Sequence, residues 1–98
     1  MSTKKWRIEQ IGRKSQEYAK SGDYDNWLDI ERALVNEGLY EARTQLDSRH
    51  KRAELNEFCR LGKEAKAAGM TFLDYIHQPG FAEAYRQQQA NKIINDPI

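Results

Sequence analysis

The sequence predicts an all-α protein, a small irregular bundle of five or six short helices. Three features point that way. Apolar residues recur at three- and four-residue intervals in most segments, as one face of a helix requires. Single glycines punctuate those segments, twice followed by an apolar residue (Gly38-Leu39 and Gly69-Met70), the pattern of a helix end. β-branched residues are sparse, and no stretch alternates apolar and polar residues between turn signals, so nothing supports a strand.

The first helix is expected over Thr3 to Ser21, with Ile8, Ile11, Ser15 and Tyr18 in one row and Gly22 as the glycine just past its end. Asp23 or Asp25 is expected to cap the second helix, because a short carboxylate accepts the orphan N–H groups of a first turn. That helix runs to about Glu37 and stops at Gly38, with Leu39 supplying the apolar contact of a Schellman turn. A short third helix, Leu39–Leu46, buries Leu39, Ala42 and Leu46. Asp47-Ser48 caps a long fourth helix over Ser48–Ala68, which ends at Gly69. Thr71-Phe-Leu-Asp74 resembles a capping box and opens a fifth helix over roughly Phe72–His77. Pro79 suits the first position of a sixth helix reaching about Ile93. One domain is expected over residues 1–98, with frayed ends at about 1–4 and 95–98. Its core is expected to hold Ile8, Ile11, Tyr18, Trp27, Ile30, Leu34, Leu46, Leu55, Phe58, Leu61, Phe72, Ile76, Phe81 and Tyr85.

Composition removes several function classes. Of the 98 residues 39% are hydrophobic and 32% charged, a globular but polar balance. The net charge is +1, so any electrostatic role must come from local clustering and not from a wholesale basic character. One cysteine, Cys59, excludes an internal disulfide scaffold. No apolar run approaches the ~20 residues that span a bilayer, and the start Met1-Ser-Thr-Lys-Lys lacks the apolar stretch of a secretory signal. A cytoplasmic location without membrane contact is the expectation.

The fourth helix carries the strongest functional signal. Arg49, Arg52, Arg60 and Lys63 fall within an arc of roughly 80° at about 100° per residue, while Leu55, Phe58, Leu61, Ala65 and Ala68 take the other side. Such a stripe offers cations to an acidic protein surface or to phosphates. Glu57 and Glu64 lie at its edge and dilute its field, and Glu57 is placed to pair with Arg60 three residues on. Trp6 adds a second signal. It lies about 140° from the apolar face of its helix, where it serves either as a partner-binding anchor or as a cover for the core. Leu28 and Val35, Ile93 and Ile94 also sit off their helices' main rows, and Glu31 falls between two apolar rows.

Catalytic and metal-binding patterns are weak by comparison. A helix-turn-helix around Gly38 would leave its reading helix with Arg43 as sole cation, too few for phosphate anchoring. His50 stands nine residues before Cys59, on the opposite helix face, and cannot serve it as a base. Asp23-x-Asp25 begins like a calcium loop, but Leu28 replaces the turn glycine and Leu34 the bidentate glutamate. No zinc spacing, Gly-rich phosphate loop or nucleophile elbow occurs, so no catalytic residue, metal or cofactor is expected. Small polar helical chains with one cysteine are common among phage and plasmid products, including inhibitors of host defence systems. That analogy of size and style assigns no residue.

The expectation is a non-enzymatic binding module or inhibitor that contacts an acidic protein surface through Arg49, Arg52, Arg60, Lys63 and Trp6, with homodimer formation as a further option. The alternative is a nucleic-acid-binding regulator using the same cations on phosphates.

Overall fold

A computed structural model of the chain describes residues 3–95, with side chains through residue 89. Among the described residues six helices follow in order: α1 (Lys4–Ser21), α2 (Trp27–Asn36), α3 (Ala42–Gln45), α4 (Arg49–Ala67), α5 (Phe72–Ile76) and α6 (Phe81–Asn95). No strand occurs among the described residues. The all-α expectation therefore stands.

Local chemistry fixes most of the boundaries. The hydroxyls of Thr3, Ser48 and Thr71 accept from Trp6, Lys51 and Asp74 N–H and so cap α1, α4 and α5. Thr3 and Lys4, expected within a frayed end, are thus the cap and first residue of α1. Asn95, expected in the other frayed end, is the last residue of α6, and residues 1–2 and 96–98 lie outside the described residues. Both glycine-then-apolar junctions form Schellman turns. Leu39 N–H donates to Leu34 O at 3.0 Å and Gly38 N–H to Val35 O at 2.9 Å. Met70 N–H likewise donates to Ala65 O at 2.9 Å and Gly69 N–H to Lys66 O at 3.0 Å. The two glycines sit at φ 91° and 69°, where a side chain would be strained.

Three boundaries differ from expectation. Asn26, not Asp23 or Asp25, caps α2, accepting from Leu28 and Asp29 N–H at 3.0 and 3.1 Å. The two aspartates are spent on lysines of α4 instead. Helix α3 shrinks to one turn, although Leu39, Ala42 and Leu46 are buried as expected. Pro79 does not open α6. It occupies the second position of a turn in which Phe81 N–H donates to Gln78 O at 3.1 Å and Gly80 adopts φ 87°. That is a type II turn, which Pro-Gly favours, and α6 starts at Phe81.

Helices α1 and α4 form the central pair, flanked by α2 and α3 on one side, while α5 packs on α4 and α6 on α5. The shortest molecular dimension is 19 Å, about two helix diameters. So thin a body has a narrow core. Ile11, Ala19, Ile30, Leu34, Leu39, Ala42, Leu46, Leu55, Cys59, Leu61 and Ala65 are buried. Ile8, Tyr18, Trp27, Phe58, Phe72, Ile76, Phe81 and Tyr85, expected in the core, are only half-buried. A body about two helices thick leaves such side chains covered on one side only, and its closest approach is the α1–α4 crossing. Gly62 is buried there, and an added Cβ would stand 2.7 Å from Ala19 O and 2.8 Å from Lys20 O. Small residues bring the two backbones together there. Among the described residues the one buried polar side chain, Ser15, donates to Gly12 O at 3.1 Å, so its hydroxyl is satisfied in place.

Candidate functional site

Helix α4 runs unbroken past Glu57, and the four stripe cations share a face as expected. Three of the four do not project freely into water. The guanidinium of Arg52 lies 3.9 Å from the centre of the Trp27 ring, its Nε donates to Leu46 O at 3.0 Å, and it pairs with Asp47 at 3.1 Å. Arg60 is held between Glu57 and Glu64 on its own helix, with Nε on Glu57 at 2.9 Å and Nη1 on Glu64 at 2.8 Å. Those hydrogen bonds, the Glu57 one foremost, raise the Arg60 pKa further. Lys63 pairs with Asp25, and Lys66 one turn on pairs with Asp23. Asn56, in the same row, accepts from Trp27 N–H at 2.9 Å.

The row Arg52, Asn56, Lys63 and Lys66 is therefore the seam on which residues 22–27 lie. Acidic residues in the α1–α2 connection meet basic residues on α4, and this charge match positions the start of α2. Exposed pairs of this kind contribute little each, about 0–1 kcal/mol. Together with the cation–π contact and the Asn56 bond they fix the register of the turn. Arg49 alone of the four is exposed without an ion pair to a described residue. Sequence geometry placed the cations correctly on the helix but could not see the loop that faces them.

Trp6 presents a different picture. It is 47% exposed, and Tyr40 is 69% exposed, far more than side chains of this size are in a core. The two rings stand one residue before the partners of a single ion pair that ties α1 to the start of α3. Arg7 Nε donates to Glu41 Oε1 at 2.9 Å and Arg7 Nη2 to Glu41 Oε2 at 2.8 Å, a two-pronged contact. The Arg7 hydrogen bonds hold the Glu41 carboxyl down at about 2, with a smaller contribution from the charge of Lys4. The segments carrying Trp6 and Tyr40 are thus pinned together. Around them Lys4, Lys5 and Arg43 are exposed. Further along the same α1 edge, Lys14 pairs with Glu37 at 2.8 Å, and Tyr18 donates to the other oxygen of Glu37.

Tyr40 was missed by sequence reasoning. It stands in the turn before α3, beside the buried Leu39, and an offset of about 100° from the Leu39, Ala42 and Leu46 face was the signal that could have found it. Leu28, Val35 and Glu31 are half-buried, and Val35 packs against the core. Glu31 forms no ion pair with a described residue. The side chains of Ile93 and Ile94 lie outside the described ones.

The remaining reactive groups are remote from this edge. Cys59 is fully buried, and burial, with a smaller effect of Asp29, pushes its thiol up to about 11. A thiol so placed forms little thiolate at neutral pH. Among the described residues no cluster of His, Cys, Asp or Glu is arranged to hold a metal ion, and no helix is long and apolar enough to cross a membrane. No protein-family model matches the chain, and no match to a curated protein or to a solved structure was found.

Proposed function

We propose that this protein is a non-enzymatic protein-interaction module that docks through the Trp6–Tyr40 edge onto an acidic partner surface. The observation that carries this reading is the pair of large exposed rings on segments pinned by the Arg7–Glu41 contact. Tryptophan and tyrosine dominate binding hot spots because they bury much area at little entropic cost. Pinning the backbone beneath them reduces the ordering cost of association. Lys4, Lys5 and Arg43 supply positive charge around the rings and favour an acidic counterpart. Arg49 can add to that field, whereas Arg52, Arg60 and Lys63 act chiefly inside the fold.

The test places the photo-crosslinker p-benzoyl-phenylalanine at Tyr40, or at exposed Gln16 as control, in the native cell. A nuclease-resistant protein adduct at Tyr40 and not at Gln16 is the expected result. Equal labelling at both positions, or none, would overturn the reading. Retention on heparin that falls steeply with salt and depends on Arg49 and Lys51, at the exposed start of α4, would favour the nucleic-acid alternative.

A further inference from the structure

Helices α4 and α6 leave a cleft between them whose polarity is opposite to that of the Trp6–Tyr40 edge. Two hollows of about 310 and 300 Å³ share Glu57 and Gln89 and so form one groove. Its floor is Ala53, Phe58 and the ring of Tyr85. Along α4 it extends from His50 to Arg60, about 15 Å at 1.5 Å per residue. Among its described side chains, Phe81 to Gln89, α6 buries none fully. Its rings contact their own neighbours instead, Phe81 meeting Tyr75 edge-on and stacking on Tyr85. The apolar floor is thus left half open to water.

The charged groups of the wall indicate what fits. Glu54 and Glu57 stand three residues apart on α4, facing the groove. Among the described lining residues the one strong cation, Arg60, is paired with Glu57 and with Glu64, which lies outside the lining. His50 lies 3.9 Å from Glu54 at the open end. Apolar floor and carboxylate wall together match a segment that is apolar on one face and cationic on the other.

We propose that the α4–α6 groove takes a basic amphipathic helical segment of a partner protein, with an apolar side chain seated between Phe58 and Tyr85 and a cation on Glu54. Docking of this kind lays an amphipathic helix into an apolar groove and anchors it at intervals of three and four residues. The inference rests on a different surface from the proposed function and stands or falls separately from it.

The test uses a fluorescein-labelled amphipathic helix of leucine and lysine, about 14 residues or ~21 Å long, and the matching leucine–glutamate helix. Fluorescence anisotropy should show the lysine helix binding the full chain and the glutamate helix not binding. The double variant Ala53→Arg, Glu54→Lys fills the floor and reverses the wall at two solvent-accessible positions. It should weaken the lysine helix by about tenfold or more, while its circular dichroism stays unchanged. The variant Trp6→Ala, Tyr40→Ala should bind that helix as tightly as wild type. The proposal is overturned if the lysine helix fails to bind wild type, binds the groove variant equally well, or is matched by the glutamate helix.

Discussion

Gly62 offers the sharpest test of the α1–α4 crossing. In a helix interior, glycine to alanine normally stabilises by about 1 kcal/mol. Here the added Cβ would stand 2.7 Å from Ala19 O, 2.8 Å from Lys20 O and 3.0 Å from Gly22 N. All three are backbone atoms and cannot swing aside. The end of α1 must retreat by roughly 0.7 Å, from 2.7 Å to the 3.4 Å of ordinary van der Waals contact. Overpacking of this kind costs typically 1–3 kcal/mol, and backbone obstruction on three sides puts Gly62 at the upper end. Set against the helix gain, the net loss should be about 2 kcal/mol, or a Tm lowered by roughly 8–16 °C for a domain of this size. Gly12 is the internal control, since it lies mid-helix in α1 with nothing within 4 Å of an added Cβ. Gly12→Ala should raise stability by up to about 1 kcal/mol. Both are read by thermal circular dichroism and urea titration. A Gly62→Ala protein as stable as wild type would show that the helices do not meet there as described.

Four other outcomes follow from the same structure. Leu34→Ala empties a fully buried site and should cost about 2–5 kcal/mol in urea denaturation. Phe58→Ala should cost less than the ~3–5 kcal/mol of a fully buried ring, because Phe58 is half-buried beneath Lys20. The Arg7 contact holds the Glu41 carboxyl at about 2 in the folded protein against its ordinary 4.5, so the unfolded state binds its proton first as pH falls. The stability this carboxylate contributes is complete above about pH 4.5 and is lost towards pH 2. Glu41→Gln should flatten that part of the stability–pH curve, and an unchanged slope would contradict the Arg7 contact. Cys59 should resist a thiol reagent in the native protein at neutral pH and react fully in denaturant.

Much of the fold was legible because it is written locally. Gly38-Leu39 and Gly69-Met70 announce Schellman turns by residue type alone, and Ser48 and Thr71 are caps by the same logic. The P-G pair at Pro79-Gly80 carried an equally local message, a type II turn, which the preference of proline for a first helical position obscured. The crossing at Gly62 was not legible, because a mid-helix glycine reveals nothing of which backbone approaches it. The site divides in the same way. Trp6 lies off its helix's apolar face by simple angular count and is exposed. The cationic row of α4 was equally visible, but its partners Asp23 and Asp25 lie in a connection that has no place on a helical wheel. A charged stripe has the same appearance whether a foreign surface or the chain's own loop covers it.

The central claim is that recognition resides in the aromatic edge, while Arg52, Arg60 and Lys63 of α4 serve the fold. Co-precipitation from native lysate, normalised to folded protein, compares two double variants directly. Trp6→Ala, Tyr40→Ala should lose the captured protein at unchanged stability. Arg60→Gln, Lys63→Gln should retain capture, although the Lys63 tie to Asp25 in the α1–α2 connection is lost. Capture lost in the second variant and kept in the first would contradict the account.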